Sequence, residues 1–276
     1  MTTRLVHSTS DAVQWSASRK SLVASDGKRL KGLLSLLQSN FYPHYSYQAA
    51  TLDGGDGKPI IKLAKGDKKI RGGMNMGRRL DRSVQQSIQL LRTYHVPVEC
   101  MWERKDYLAA SKAITVKTHK LWLKQIFNSN TSKHKSKSPY VKLFWQTMRD
   151  LKLRPMATQV AVRHSKLPMG TLADVVCQDN EQRYHVVELK TGFEKYYYKH
   201  TPIKMSYPFG EQNDCPHNQH QLQLTATHEM YRQTFPAHKV GDPLLLRFHS
   251  AGVHVVPRKP WAASATDEMF KMIRER

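Results

Sequence analysis

Several things are scarce in this sequence, and each scarcity excludes something. There are three cysteines, Cys100, Cys177 and Cys215, widely spaced and without a C-x-x-C pair. That excludes a disulfide-stapled scaffold and a four-cysteine zinc or iron–sulfur centre within one chain. No iron–sulfur cluster is expected, and a reducing compartment fits. No uncharged apolar stretch reaches the roughly 18 residues of a spanning helix, so none is expected, and because no strongly amphipathic basic helix stands alone, no membrane partner is expected either. Acid is scarce: 22 Asp and Glu stand against 44 Lys and Arg, a formal net charge of +22 over 276 residues. A phosphate loop is missing as well. Gly57-Lys58 is followed by Pro59 where Mg²⁺ binding needs Ser or Thr, and no glycine lies five positions before Gly57.

A surplus of one sign calls for an anion. Nucleic acid is the commonest such partner; an anionic membrane surface or an acidic protein is the alternative. From Tyr107 to Arg149 there is no Asp or Glu but there are nine Lys or Arg, and Asp150 is the only acid before Asp174. Such a run reads as an electrostatic track for a phosphate backbone. Its aromatics, Trp122, Phe127, Tyr140, Phe144 and Trp145, have faces that stack on bases. At helical spacing, however, such aromatics are more often core.

The first 25 residues hold six serines, one acid (Asp11) and the cations Arg4, Arg19 and Lys20. This resembles a mitochondrial targeting peptide and fits an ordinary basic tail equally well; the apolar core of a secretory signal is missing. Residues 1–80 are therefore expected to be a basic, partly disordered region. The matrix of mitochondria or the nucleus is the expected location, with a viral or phage source left open.

Regular patterning begins at Asp81. Val84, Ile88 and Leu91 share a helical face that should end before Pro97. A second helix is expected over about Lys112–Phe127, and a third from Ser138-Pro139 with Tyr140, Phe144, Met148 and Leu151 on its buried face. The period then changes. Thr158–Arg163, Thr171–Cys177 and Tyr184–Leu189 read as strands, the last two as a hairpin around Gln178–Arg183. A helix over Asn218–Gln233, a hairpin of Leu244–Phe248 with Val253–Val256, and a helix over Ala265–Arg274 complete the chain. The order predicts an α/β (α+β) layer fold with a mixed sheet. No internal repeat is visible.

Asp174 lies in the middle of the apolar strand Leu172-Ala173-Asp174-Val175-Val176, and Glu188 lies in Val187-Glu188-Leu189-Lys190. A hairpin can bring the two acids together, and Glu188 and Lys190, two apart, share a face. Two carboxylates and a lysine on one sheet face are costly unless a cation or partner satisfies them. Mg²⁺ suits them, with Mn²⁺ as a substitute, because a hard cation takes one or two carboxylates plus water and phosphate oxygens. Such an ion activates water for phosphodiester hydrolysis, and Lys190 can orient that water and meet the developing charge.

Asp174 with Glu188-Leu189-Lys190 resembles the PD-(D/E)XK nuclease superfamily, with Ala173 where the name has Pro. Gly170-Thr-Leu-Ala-Asp174, Glu188-Leu-Lys-Thr-Gly192 and Gln221-Leu-Gln-Leu224 are similar to its RecB-like branch, which includes phage-type and mitochondrial genome-maintenance exonucleases. The resemblance spans about residues 110–256. It implies a restriction-endonuclease-like core with N-terminal helices, and a nuclease domain over residues 81–276. It also implies a Mg²⁺-dependent deoxyribonuclease, an exonuclease by family weight, acting in replication, repair or recombination on DNA that is single-stranded or has free ends. By the same resemblance Asp174 and Glu188 bind metal, Lys190 positions water, and Gln221 assists, with Gln223 as its rival. His119 matches an upstream metal-binding histidine, although Thr115 stands where the branch has Gly. Tyr196, Tyr197, Tyr198 and Lys199 follow the Glu-x-Lys strand and could grip unpaired bases and phosphates. Arg163, Lys166 and Lys204 could extend the positive surface. A non-catalytic basic nucleic-acid-binding protein is the rival reading. Cys215, His217, His220 and His228 match no standard zinc spacing.

Overall fold

Period-two alternation builds the sheet, and period-3.6 faces cover it. The computed structural model describes residues 13–16, 21–42, 53–54, 58–59, 68–127, 140–192, 197–198, 203–249, 252–259, 261 and 263–275. In chain order the elements are β1 (Val13–Ser16), β2 (Ser21–Ala24), β3 (Lys31–Gly32), α1 (Leu33–Phe41), β4 (Asp53–Gly54), β5 (Lys58–Pro59), α2 (Lys68–Thr93), α3 (Arg104–Ala110), α4 (Lys117–Phe127), α5 (Val141–Asp150), β6 (Arg154–Arg163), β7 (Met169–Gln178), β8 (Tyr184–Thr191), α6 (Pro216–Thr234), β9 (Leu244–His249), β10 (Gly252–Val256) and α7 (Ala263–Arg274). β6 runs antiparallel along one side of β7, and β8 pairs antiparallel with the other. β9 joins β8 in parallel after the α6 crossover, and β10 returns antiparallel. This is a mixed α/β fold, as the patterning predicts.

Two apolar layers hold the sheet. On one face Val160, Val176, Val186 and Leu245 meet Leu33, Leu37 and Phe41 of α1, Leu222 and Met230 of α6, and Met269 of α7. On the other face Val175, Val187, Leu246 and Phe248 meet Leu80, Val84, Ile88 and Leu91 of α2, with Leu123 of α4 and Phe144, Trp145 and Met148 of α5. Each such aliphatic side chain contributes about 1.5–3 kcal/mol by leaving water.

Three expectations need correcting. The boundary at residue 80 falls inside α2, which begins at Lys68. Upstream of it, α1 buries Leu33, Leu37 and Phe41, spaced four apart on one helical face, so part of the expected tail belongs to the core. The helix expected over 112–127 is broken. α3 ends in a single 3-10 turn, Ser111–Ala113, and α4 starts only at Lys117. The β-branched run Ile114-Thr115-Val116 separates them, and Ile114 is extended (φ −84°, ψ 103°).

The sheet forks at its centre. The β7–β8 ladder runs from Gln178↔Tyr184 to Val175↔Val187 and ends there. The first residues of β7, Met169 and Gly170, are paired instead with Lys31 and Gly32 of β3. The next pair, had the ladder continued, is Asp174 with Glu188. On the other side of β7, Gln159 lies between the partners of Val175 and Ala173 and has φ 52°. A non-glycine residue in that region is strained. Here it breaks the alternation, so that Ala157 and Val160, three apart, meet the same apolar layer.

Candidate functional site

Asp174 stands where the fork opens. Its Oδ2 accepts a hydrogen bond from the Leu189 backbone N–H at 2.9 Å, taking a donor that the parted ladder leaves over. Burial pushes its carboxyl well above the usual aspartate range, and Glu188 and Asp81 push it further. Lys190 and the Leu189 N–H oppose this.

Glu188 is 2% exposed, yet it is a carboxylate. Its Oε1 accepts from Lys190 Nζ at 2.5 Å and from Gln223 Nε2 at 2.8 Å. Gln223 Oε1 accepts in turn from Lys190 Nζ at 3.1 Å. The three side chains thus close a triangle that fixes one carboxylate oxygen. The other, Oε2, is buried without a hydrogen-bond partner. A buried carboxylate oxygen left so is costly unless something cationic reaches it. Burial works against the charged form of Lys190, but Glu188 and Asp174 outweigh it and leave the ammonium pKa raised.

The third acid comes from α2. Gly77 carries no side chain at the point where a Cβ would lie 3.0 Å from Thr191 Oγ1, so the helix closes onto the end of β8. One turn on, Asp81 shares the face of Gly77. Burial pushes its carboxyl up to about 6, with Lys190 opposing and Glu188 adding to the rise. Arg78, Arg79 and Arg82 beside it are exposed. Asp81, Asp174 and Glu188 therefore feel one another and one ammonium group. Among the described residues no three His, Cys, Asp or Glu side chains form a ready-made metal cage. Mg²⁺ needs none, because it keeps several waters and takes one or two carboxylates.

Gln221 is fully buried but does not join the triangle: its Nε2 donates to the Pro257 carbonyl at 2.8 Å, and its Oε1 accepts from the Lys259 N–H at 3.1 Å. Gln223, two positions on, takes the place beside Lys190. His119 is likewise not brought to the carboxylates. Its Nδ1 meets Tyr94 Oη at 2.9 Å. Tyr94 follows the C-terminus of α2, about 20 Å along the axis from Asp81 at 1.5 Å per residue. Asp81 was legible by one signal, a glycine four positions ahead in Gly77-Arg-Arg-Leu-Asp81, which is the spacing that Thr115 and His119 have without the glycine.

Arg163 and Lys166 sit at the far turn of the β6–β7 hairpin. Arg163 is paired with Gly170, about 13 Å along β7 from Asp174. Tyr197 is 1% exposed, with its ring beneath the Arg247 guanidinium, so it offers no open face to a base. Tyr198 is 48% exposed and does. Tyr196 and Lys199 lie outside the described residues. Lys204 bonds Asn213 Oδ1 at 2.9 Å. Phe144 and Trp145, read as possible base stackers, are core.

No protein-family model matches the chain, and no curated protein matches it. No described helix is long and apolar enough to cross a membrane.

Proposed function

We propose that the protein is a divalent-metal-dependent nuclease that hydrolyses phosphodiester bonds in DNA, with a PD-(D/E)XK-type core. The observation that carries this is the Glu188 carboxylate: one oxygen is pinned by Lys190 and Gln223, the other is buried and unpartnered, and its charge acts on both Asp174 and Asp81. Asp174 and Glu188 would hold Mg²⁺, or Mn²⁺, with Asp81 alongside. When bound, such an ion supplies a more acidic water and a polarised phosphate oxygen.

The chain's own groups do the rest. Gln223 keeps Glu188 and Lys190 in one orientation. Lys190, held charged by its carboxylate neighbours, orients the attacking water and meets negative charge growing on the phosphate. Asp174 is held at the fork by the Leu189 N–H. The exposed arginines Arg78, Arg79 and Arg82 and the net charge of +22 draw a polyanion toward that opening. An exonuclease acting on single strands or ends, in replication, repair or recombination, is the activity proposed.

The test is incubation of end-labelled single-stranded and duplex DNA with the full-length protein, in Mg²⁺ or EDTA, beside Lys190→Ala. Mg²⁺-dependent cleavage that falls by at least about 10²-fold in the variant is expected. Binding without cleavage, or cleavage indifferent to the substitution, overturns the proposal in favour of a non-catalytic DNA-binding protein.

A further inference from the structure

The apolar strand β9 carries one charge. Arg247 lies in Leu244-Leu-Leu-Arg247-Phe-His249 and is 7% exposed. It is in register with Lys190 on β8, so the two cations stand on adjacent strands, about 4.8 Å apart at the backbone and on the same face. Lys190 has Glu188 as its counter-charge. Arg247 has none: among the described residues no carboxylate oxygen lies within 4.0 Å of it. Its guanidinium carbon sits 4.3 Å over the Tyr197 ring, and its Nη2 donates to the Gly192 carbonyl at 3.4 Å, a long contact. Its Nε is buried without a partner, and so is the hydroxyl of Tyr197 below it. Nearby charge does not help. His220 is held neutral by burial, then by Lys190, His217 and Arg247.

A buried guanidinium on the same sheet face as the Lys190 ammonium, with its own Nε and the hydroxyl beneath it both unpartnered, is stable only if an anion completes it. The anion suited to a planar fork of N–H donors is a carboxylate or a phosphate. On a sheet face one strand beyond the site of phosphodiester cleavage, it is phosphate. We infer that Arg247, backed by Tyr197, grips the non-bridging oxygens of a DNA phosphate adjacent to the one being cut. This rests on the reading of the carboxylate fork as a phosphodiesterase site. It assigns to β9 the register of the strand in that site. The phosphate is either a terminal monoester or an internal diester.

The experiment uses full-length wild type, Arg247→Gln and Arg247→Lys in EDTA, so that nothing is cleaved. Binding of a short single strand carrying a 3′ fluorophore is followed by anisotropy across a salt series, with a 5′-phosphate or a 5′-hydroxyl end. Arg247→Gln should bind about tenfold more weakly or worse, the scale of one charge-assisted hydrogen bond. Its slope of log K against log salt should be shallower by about 0.7 for the lost phosphate contact. Arg247→Lys should keep the slope but not the affinity. A loss confined to the 5′-phosphorylated strand identifies the terminal phosphate, and an equal loss on both identifies an internal diester. Wild-type affinity and slope in both variants overturn the proposal. If Arg247→Gln does not fold, wild type is melted in inorganic phosphate and in chloride at equal ionic strength. Stabilisation by phosphate that is weaker in Arg247→Lys supports the grip, and stabilisation that is absent, or equal in the two proteins, overturns it. A protein that binds through Arg247 yet never cleaves in Mg²⁺ keeps the grip and loses the hydrolase reading.

Discussion

Asp81→Asn should stabilise the metal-free protein at neutral pH while lowering the cleavage proposed for it. The Asp81 carboxyl is lifted from 3.8 to about 6, first by burial and then, against Lys190, by Glu188. A group whose pKa is higher in the folded state than in the unfolded one favours folding while protonated. That contribution is complete below pH 4 and is lost as the pH rises through about 6. At about 1.4 kcal/mol per pKa unit, the gap between 3.8 and about 6 sets a ceiling of about 3 kcal/mol on the destabilisation at pH 8. Asp81 is partly exposed, so solvent screening brings the realised value lower, to about 1–2 kcal/mol. Asparagine keeps the size and removes the charge. Thermal melts in EDTA from pH 4 to pH 8 measure the difference. The two proteins should melt together near pH 4 and separate through pH 6. At pH 8 the variant should melt higher, by about 2–4 °C for each kcal/mol. Added Mg²⁺ should narrow the gap, because the wild type keeps the third carboxylate beside the ion and gains more from binding it. A wild type as stable as the variant at pH 8, or a gap that does not change with pH, would refute the reasoning.

The two glutamines of α6 should separate stability from activity. Gln221→Ala leaves the Pro257 carbonyl and the Lys259 N–H without their buried partners and should cost about 1–3 kcal/mol in urea unfolding, with the folded fraction still cleaving. Gln223→Ala should leave the urea midpoint closer to wild type and lower kcat, because Glu188 and Lys190 lose their common tether. His119→Ala should leave cleavage rates unchanged, as its Tyr94 contact lies at the other end of α2. Gly77→Val pushes a side chain against Thr191, 3.0 Å from where a Cβ would stand, and should reduce cleavage more than stability by shifting Asp81; overpacking of this kind costs about 1–3 kcal/mol in a melt.

The strands that bear the central residues were legible because they are long and alternate cleanly. β7 and β8 extend one or two residues beyond the expected ends, and their hairpin carries Asp174 and Glu188 to the fork, one position past its last pair, Val175↔Val187. The upstream chain was not legible. α1 is only nine residues long and contains no charge in its first or last turn, and β1–β3 are four residues or fewer. Elements so short leave little periodicity to read. Asp81 sits on the polar flank of an amphipathic helix, where an acid is ordinary, and only the close approach of Gly77 marks it. The choice between Gln221 and Gln223 depends on helix rotation, which a strip of alternating Gln and Leu does not settle. Arg247 carries the same signal that singled out Asp174, one charge within an apolar strand, and the same logic applies to it.

Saturable Mn²⁺ uptake, followed by the EPR signal of the free hexaaqua ion during titration of the full-length protein, tests the carboxylate fork most directly. Wild type should remove the signal until its sites fill, and Glu188→Gln, whose side chain carries no charge, should not. A wild type that leaves the free-ion signal untouched, or a variant that takes up Mn²⁺ equally well, would contradict a cation site at Asp174 and Glu188.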